Sequence, residues 1–155
     1  MTTIALVDDE SSIRTSVSLA LESEGFKVDV FQNGIEALEA LESKSYDLGL
    51  FDIKMPKMDG NELLAKVRSS KKDDLKEMPI IFLTSKDQEQ DEIIGLRMGA
   101  ADYITKPFSQ KLLNERIRTV LRVYQNRKAL FNHENTDLKN LKKGNLELDD
   151  LKQLC

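Results

Sequence analysis

The sequence predicts a doubly wound α/β fold built on a five-stranded parallel sheet, and two observations carry this prediction. Five short apolar runs alternate along the chain with stretches whose apolar residues recur at helical spacing. Two of these runs, LGLF (48–51) and IIFL (80–83), contain no polar side chain, as is typical of strands covered on both faces. Strands that alternate with helices form right-handed crossovers, which place helices on both faces of a parallel sheet.

The elements follow one another in a regular order. The predicted strands are residues 3–7, 27–31, 48–51, 80–83 and 103–105. The five predicted helices are marked by the apolar residues Ile13, Val17, Ala20 and Leu21; Ile35, Leu38 and Leu41; Leu63, Leu64 and Val67; Ile93, Ile94, Leu96 and Met98; Leu112, Leu113, Ile117, Val120 and Leu121. Ser11 or Ser12 and Asn33 are predicted N-caps, and Gly25 and Gly99 fall where helices should end.

Composition places the chain among globular proteins of about one domain. It has 155 residues, of which 40% are hydrophobic and 32% charged, and no apolar run approaches the length of a membrane span. The single cysteine, Cys155, excludes an internal disulfide framework and suits a reducing compartment. A cytoplasmic protein without membrane contact is therefore expected.

Charge is distributed unevenly between the two parts of the chain. Residues 1–108 carry 13 Lys and Arg against 21 Asp and Glu, whereas residues 109–155 carry 10 against 6. The mildly basic tail is too weak a signal to predict nucleic-acid binding by itself.

The helical pattern loosens after Arg127, which suggests a change of organisation. Residues 132–145 are polar and rich in Asn and Lys, as in linkers, and Leu146 and Leu148 then alternate with polar residues as at the start of a strand. We predict a main domain over 1–124, a helix end and linker over 125–144, and the start of a further domain over 145–155.

Five polar residues follow the predicted strands at their carboxyl ends. Asp8 and Asp9 come after the first strand, Asp52 after the third, Thr84 after the fourth and Lys106 after the fifth. In open parallel sheets the chemistry is placed at this edge, so these side chains are expected to lie close together.

Three converging carboxylates repel one another by about 4 kcal/mol per pair at 4 Å and an effective dielectric of about 20. Lys106 supplies one compensating positive charge and a divalent cation would supply two. Oxygen ligands at an open edge favour Mg²⁺ or Mn²⁺. Each residue also has a simpler explanation: Asp8, Asp9 and Thr84 as helix caps, Asp52 as a strand end, and Lys106 as a surface lysine.

Together these residues carry a resemblance to a known family. The segments LVDDE (6–10), FDIKMPKMDG (51–60), FLTSKD (82–87) and GAADYITKPFS (99–109) resemble the receiver domain of two-component response regulators, over about residues 1–124. The wider pattern is similar to the OmpR/PhoB family, and within it to the ChvI group. The resemblance implies a flavodoxin-like (βα)5 sheet with strand order 2-1-3-4-5.

The resemblance also implies roles for the residues at the strand ends. Asp52 would be the phosphoacceptor and would bind Mg²⁺ (or Mn²⁺) with Asp9 and the main-chain carbonyl of Lys54, while Asp8 would act on the cation mainly through water. Lys106, preceding a cis Pro107, would pair with the phosphoryl oxygens, and Thr84 would donate its hydroxyl to one of them. Movement of Thr84 would let Tyr103 rotate inward, as a switch.

Partners follow from the same resemblance. A sensor histidine kinase would dock on Ser12, Ile13, Ser16, Pro107 and Phe108, although Ile13 is equally explicable as a core residue. A homodimer would form through the fourth helix, fifth strand and fifth helix, a face that includes Ile94, Asp102, Leu112 and Arg116. DNA would be bound only by an effector domain that begins near residue 145 and is otherwise absent from this chain.

The dimer face departs from the family pattern. Ala101 replaces a usual acidic residue, and Ile94 and Leu112 stand where charged residues are usual. We therefore expect a more apolar and more constitutive dimer face, on which Asp102 and Arg116 still pair.

Alternatives to a phosphorylated switch remain. One is a pseudo-receiver that binds a partner without being phosphorylated. Another is a Mg²⁺-dependent phosphohydrolase, although Lys54 stands where such enzymes place a second aspartate. A nucleotide-binding fold is disfavoured because no Gly-rich loop follows the first strand. We expect a signalling module rather than an enzyme, apart from its own phosphorylation and dephosphorylation.

Overall fold

The computed structural model describes residues 1–85 and 89–143, the segment 128–143 by its backbone alone. The elements in order are β1 (Thr3–Val7), α1 (Ser11–Ser23), β2 (Lys27–Phe31), α2 (Gly34–Ser43), β3 (Leu48–Asp52), α3 (Gly60–Arg68), α4 (Asp73–Lys76), β4 (Ile80–Thr84), α5 (Glu89–Arg97), β5 (Asp102–Thr105) and α6 (Gln110–Lys143).

The five strands form one parallel sheet in the order β2-β1-β3-β4-β5, which confirms the predicted fold and strand order. Every predicted strand is present, and the third, fourth and fifth are each one residue longer than predicted. All residues of the two apolar strands β3 and β4 are buried, because helices cover both faces of the sheet.

Two hydrophobic cores lie on opposite faces of the sheet. One contains side chains of α2, α3 and α4, with Phe51 and Phe82 among its strand residues. The other contains side chains of α1 and of the first part of α6, with Leu50 and Leu83 among its strand residues. Successive residues of a strand therefore serve different cores, and this packing fixes the register that carries Asp52 to the end of β3.

Most of the predicted helix ends are confirmed. The Asn33 side chain accepts a hydrogen bond from the Glu36 amide at 2.9 Å, and Gly25 and Gly99 have φ angles of 93° and 100°. The N-cap predicted at Ser11 or Ser12 is wrong. Helix α1 begins after Glu10, which is its N-cap residue. The Glu10 amide donates to the Asp8 carboxylate, so Asp8, and not a serine, provides the side-chain hydrogen bond next to the start of the helix.

The one-turn helix α4 was not predicted, because four residues are too few to show helical periodicity. The fourth and fifth predicted helices are therefore α5 and α6.

The chain divides into two compact units, Met1–Leu121 and Arg122–Cys155. Within the described part of the second unit, the backbone is helical as far as Lys143, including residues that the sequence analysis assigned to a linker. The predicted start of a further domain at residues 145–155 lies outside the described residues. Among the helices of residues 1–85 and 89–143, none combines the length and the apolar character needed to cross a bilayer.

Candidate functional site

The aspartates that follow β1 and end β3 form one acidic cluster. Strands β1 and β3 are neighbours in the sheet, with Val7 aligned to Phe51, so Asp8 and Asp52 are adjacent. Carboxylate oxygens of Asp8, Asp9 and Asp52 lie within 4.8 Å of one another. Asp8 is fully buried and Asp52 is 5% exposed, whereas Asp9 is open to solvent, so the cluster has a deep side and an open side.

Lys106 brings a positive charge to this cluster from the end of β5. Its Nζ lies 3.0 Å from Asp8 Oδ2 and 3.5 Å from Asp52 Oδ1. The Lys106 amide donates to the Thr84 carbonyl at 2.6 Å, and the following peptide bond to Pro107 is cis. The ammonium group therefore bridges the two buried carboxylates.

One ammonium does not balance three carboxylates, and the pKa values reflect this. Burial, followed by the charge of Asp8 and by a hydrogen bond with Asp9 and its charge, raises the pKa of Asp52 from 3.8 to about 7, although the charge of Lys106 acts in the opposite direction. Burial disfavours the charged form of Lys106, but its hydrogen bond to Asp8 and the charge of Asp52 outweigh this and raise its pKa. The site therefore carries an excess of negative charge that a bound cation would relieve.

Thr84 ends the strand next to β3. Asp52 is aligned with Leu83, so Thr84 lies one residue further along the edge of the sheet. The side chain is fully buried, and its hydroxyl donates to the Ser85 carbonyl at 3.1 Å. Thr84 thus lies at the same edge as Asp52, with a hydroxyl that is hydrogen-bonded locally.

The loop after Asp52 folds back tightly on the end of β3. The Gly60 amide donates to the Ile53 carbonyl at 2.7 Å, and a Cβ on Gly60 would come within 2.5 Å of the Asp52 carbonyl oxygen. Only glycine fits at this approach. The loop carries Lys54, which is exposed and follows Asp52 by two residues.

The predicted dimer face lies on α5, β5 and α6. Ile94 is 45% exposed, Leu112 42% and Tyr103 37%, and Arg116 Nη1 lies 3.0 Å from Asp102 Oδ2. These three large side chains are therefore partly exposed on the elements that also carry the Asp102–Arg116 ion pair.

The predicted kinase-docking residues divide into two kinds. Ile13 and Phe108 are half-buried and pack against the core on the α1 side, whereas Ser12, Ser16 and Pro107 are exposed. The packing of Ile13 agrees with its explanation as a core residue and leaves only part of its side chain for a partner.

Arg14, which lies in the second turn of α1, is not among the residues that the sequence predicts for the site. Its Nη1 donates to the main-chain carbonyl of Asp8 at 2.7 Å, and the side chain is half-buried. The signal for it was weak, since an arginine near a helix start gives no indication of its target.

The donor set of the cluster fits a hard divalent cation. All side-chain donors are carboxylate oxygens, one residue is open to solvent, and the like-charge repulsion that raises the pKa of Asp52 would be relieved by bound positive charge. In the part of the chain that the structure describes, it is the one group of three or more potential metal ligands.

Comparison with known families agrees with this geometry. Residues 4–118 match the family described as Response regulator receiver domain, which is well over half of the chain. The chain belongs to this receiver domain family. The aspartates at the strand ends and Lys106 are therefore residues of a receiver domain, a module of two-component signalling.

Curated relatives are transcriptional regulators homologous to the OmpR/PhoB family. The chain is 42% identical over 119 residues to the alkaline phosphatase synthesis transcriptional regulatory protein PhoP of Bacillus subtilis, covering 77% of this chain and 48% of PhoP. It is 39% identical over 147 residues to the probable transcriptional regulator ycf27 of Cyanidium caldarium, covering 94% of this chain and 56% of that protein. The chain thus spans about half the length of the curated relatives it matches.

Solved structures show the same fold. A CheY-like response regulator receiver domain protein from Methanospirillum hungatei JF-1 is 32% identical with a TM-score of 0.76, covering 82% of this chain and 98% of that one. A response regulator of Chloroflexus aurantiacus J-10-fl is 30% identical with a TM-score of 0.73, covering 78% and 98%.

Proposed function

We propose that this receiver domain accepts a phosphoryl group on Asp52 from a phosphohistidine of a sensor histidine kinase, in a Mg²⁺-dependent reaction. The observation that supports the proposal is the cluster of Asp8, Asp9 and Asp52, in which Lys106 bridges Asp8 and Asp52. Phosphoryl transfer needs a positioned nucleophile and neutralisation of the charge on the phosphoryl oxygens, and this cluster offers both.

In the transfer step, a carboxylate oxygen of Asp52 attacks phosphorus. The new O–P bond forms as the N–P bond breaks, and its electron pair returns to the imidazole. The imidazole retains the proton on its other nitrogen and leaves neutral. Because the attacking group must be ionised, the raised pKa of Asp52 makes the reaction dependent on positive charge at the site.

Asp8, Asp9, Asp52 and the main-chain carbonyl of Lys54 would hold Mg²⁺ or Mn²⁺. When bound, the cation neutralises negative charge on the carboxylates and on the phosphoryl oxygens. Fully buried Asp8 provides a fixed ligand on the deep side, and exposed Asp9 provides one on the open side.

Lys106 and Thr84 act on the phosphoryl oxygens. Lys106 already contacts Asp52 Oδ1, so its ammonium lies beside the carboxylate that becomes esterified and can pair with an equatorial oxygen of the phosphoryl group. The Thr84 hydroxyl would exchange its bond to the Ser85 carbonyl for a bond to the phosphoryl group. That movement would let Tyr103 rotate inward and so reshape the α5–β5–α6 face.

The output is a change in self-association and, through it, in transcription. The relatives are transcriptional regulators about twice as long as the region that matches, so a C-terminal DNA-binding domain would deliver the response. Within the OmpR/PhoB family, the motifs favour the ChvI group. The chain would work in the cytoplasm as a signalling module rather than as an enzyme with a separate substrate.

The dimer face would be held mainly by apolar contact. Ile94 and Leu112 are exposed where charged partners are usual, and Ala101 removes an acidic one. Ile94→Lys should weaken self-association in analytical ultracentrifugation. Ile35→Lys, a change at an equally exposed isoleucine on α2, is the matched control and should leave it unchanged. Equal dimer affinity in both variants would contradict this part of the proposal.

Intact mass after incubation with Mg²⁺ and acetyl phosphate tests the central proposal. We expect a gain of one phosphoryl group, about 80 Da, in the wild type and in Asp73→Asn, an exposed control, and none in Asp52→Asn or without Mg²⁺. No gain in the wild type would favour the pseudo-receiver that binds partners without phosphorylation. Steady release of inorganic phosphate from many phosphomonoesters would favour the phosphohydrolase.

A further inference from the structure

Arg14 connects helix α1 to the acidic cluster through the main chain. Its Nη1 donates to the Asp8 carbonyl oxygen at 2.7 Å from the second turn of α1. The Arg14 amide also donates to the Glu10 carbonyl at 3.1 Å, which places Arg14 one helical turn after the residue that precedes α1. The guanidinium group thus reaches back over the loop that contains Asp8 and Asp9.

The atom that Arg14 holds belongs to the peptide group between the two aspartates. A peptide group is planar, so fixing the Asp8 carbonyl oxygen also fixes the direction of the Asp9 amide and restrains the start of the Asp9 residue. Asp8 itself is anchored elsewhere as well. Its amide donates to the Phe31 carbonyl at 3.1 Å, and its carboxylate accepts from the Glu10 amide at 2.9 Å and from Lys106 Nζ at 3.0 Å.

Asp9 is in a different position from Asp8. It is exposed, whereas Asp8, the residue before it, is fully buried. The contact of Arg14 with the Asp8 carbonyl is therefore one point at which helix α1 can restrain where the Asp9 carboxylate lies relative to Asp52. Carboxylate ligands bind a cation most tightly when they are held in place before it arrives.

We propose that Arg14 is a positioning residue that orients the Asp8–Asp9 peptide so that both carboxylates meet the same divalent cation. This inference rests on the proposed function, because it assumes that the cluster holds Mg²⁺. Arg14 lies on α1, outside the segments that follow the strands. It acts through a main-chain carbonyl, not through the carboxylates that would bind the cation or through the phosphoryl group.

Charge and positioning predict opposite outcomes when Arg14 is removed. If Arg14 mattered only as a nearby positive charge, its loss would make the acidic cluster more negative and would strengthen Mg²⁺ binding. If Arg14 holds the peptide, its loss lets the Asp9 carboxylate move away and weakens binding. The sign of the change therefore separates the two effects.

The test is a titration of ¹⁵N-labelled protein with MgCl₂, followed by the NMR signals of the Asp9 and Glu10 amides. Arg14→Met replaces the guanidinium group with an apolar side chain of similar length. We expect it to raise the Mg²⁺ dissociation constant about fivefold to tenfold; a tenfold change corresponds to about 1.4 kcal/mol of binding free energy. Arg14→Lys keeps the charge and one donor and should restore much of the affinity.

Arg118→Met is the matched control. Arg118 also donates from a helix to a main-chain carbonyl, that of Glu24, but away from the acidic cluster, so its loss should leave the dissociation constant unchanged. Unchanged or tighter Mg²⁺ binding in Arg14→Met would overturn the inference, and so would an equal loss in Arg118→Met. Failure of the wild type to bind Mg²⁺ would overturn the inference together with the proposed function, whereas wild-type binding with an unaffected Arg14→Met would overturn the inference alone.

Discussion

Charged side chains have different partners at the two ends of the sheet. At the carboxyl ends of the strands, which we call the site end, three carboxylates form a cluster in which one ammonium group contacts two of them, and the pKa of Asp52 is raised to about 7. At the amino ends, which we call the far end, two cations, Arg68 and Lys72, are bonded to main-chain carbonyls. Arg68 donates to the carbonyls of Lys76, Met78 and Gly99 at 2.7–3.1 Å.

A second cation at the far end follows the same rule. Lys72 Nζ donates to the carbonyls of Leu41 and Glu42 at 3.4 and 3.2 Å, which bonds the C-terminal end of α2. The far end therefore stabilises the fold, whereas the site end keeps a repulsion that a cation and a phosphoryl group can relieve. Excess charge of this kind is typical of sites that are built to bind.

The largest effect is expected from Lys106→Met. Removing the ammonium leaves the buried carboxylates of Asp8 and Asp52 without their bridging cation, which should lower the free energy of unfolding by about 3 kcal/mol at pH 8. Urea denaturation without Mg²⁺ measures the change. Because protonation of Asp52 would relieve the loss, the effect should be smaller at pH 5, and an equal loss at both pH values would contradict this account.

Asp52→Asn should have the opposite sign. The pKa of Asp52 is higher in the folded protein, about 7, than its ordinary value of 3.8, so unfolding releases a proton between these values and stability falls as the pH rises through them. The variant removes this penalty. The shift of about three pKa units corresponds to about 4 kcal/mol at roughly 1.4 kcal/mol per unit, and solvent screening at the open side of the cluster reduces it, so we expect a gain of about 2–3 kcal/mol at pH 8 and a clearly smaller gain at pH 5.

Thermal unfolding of wild type and Asp52→Asn across this pH range, without Mg²⁺, provides the measurement. Added Mg²⁺ should narrow the difference, since a ligand that binds only the folded wild type stabilises it by mass action. A variant less stable than the wild type at pH 8 would show that the site end is not under repulsion.

Arg68→Met tests the far end. Loss of three hydrogen bonds from a charged donor should lower the free energy of unfolding by about 2 kcal/mol, at pH 5 and pH 8 alike, because main-chain carbonyls do not titrate. Lys66→Met, a change at an exposed residue of the same helix, is the control. If the loss in Arg68→Met depended on pH as it does at the site end, the contrast between the two ends would be wrong.

The smallest effect is expected from Arg116→Gln, which breaks the pair with Asp102 on the α5–β5–α6 face. Both side chains are partly exposed, and such pairs contribute only about 0–1 kcal/mol. Denaturation at low and high salt should therefore show little change. A loss comparable to that of Arg68→Met would indicate that this face belongs to the stabilising part of the molecule.

The sequence predicts some secondary-structure elements of this protein closely and misses others. The apolar runs placed all five strands within one residue of their ends, and the reason is clearest for β3 and β4, which are buried on both faces and therefore carry unbroken apolar runs. The one-turn helix Asp73–Lys76 was missed because so short a segment has no periodicity. The N-cap of α1 was predicted at Ser11 or Ser12 because N-cap preferences consider only the residue next to the helix. The side chain that makes the hydrogen bond, Asp8, lies two residues before the observed N-cap Glu10.

By itself, the sequence determined the alternation of strands and helices and the edge at which Asp8, Asp9, Asp52, Thr84 and Lys106 gather, because both follow from local patterns and from the handedness of crossovers. Only the tertiary structure decided that Asp8 is buried and Asp9 exposed, that Lys106 bridges Asp8 and Asp52, and that Arg14 reaches the Asp8 carbonyl. Burial and long-range contacts depend on how elements pack, and residues far apart in the chain carry no local signal of their future neighbours.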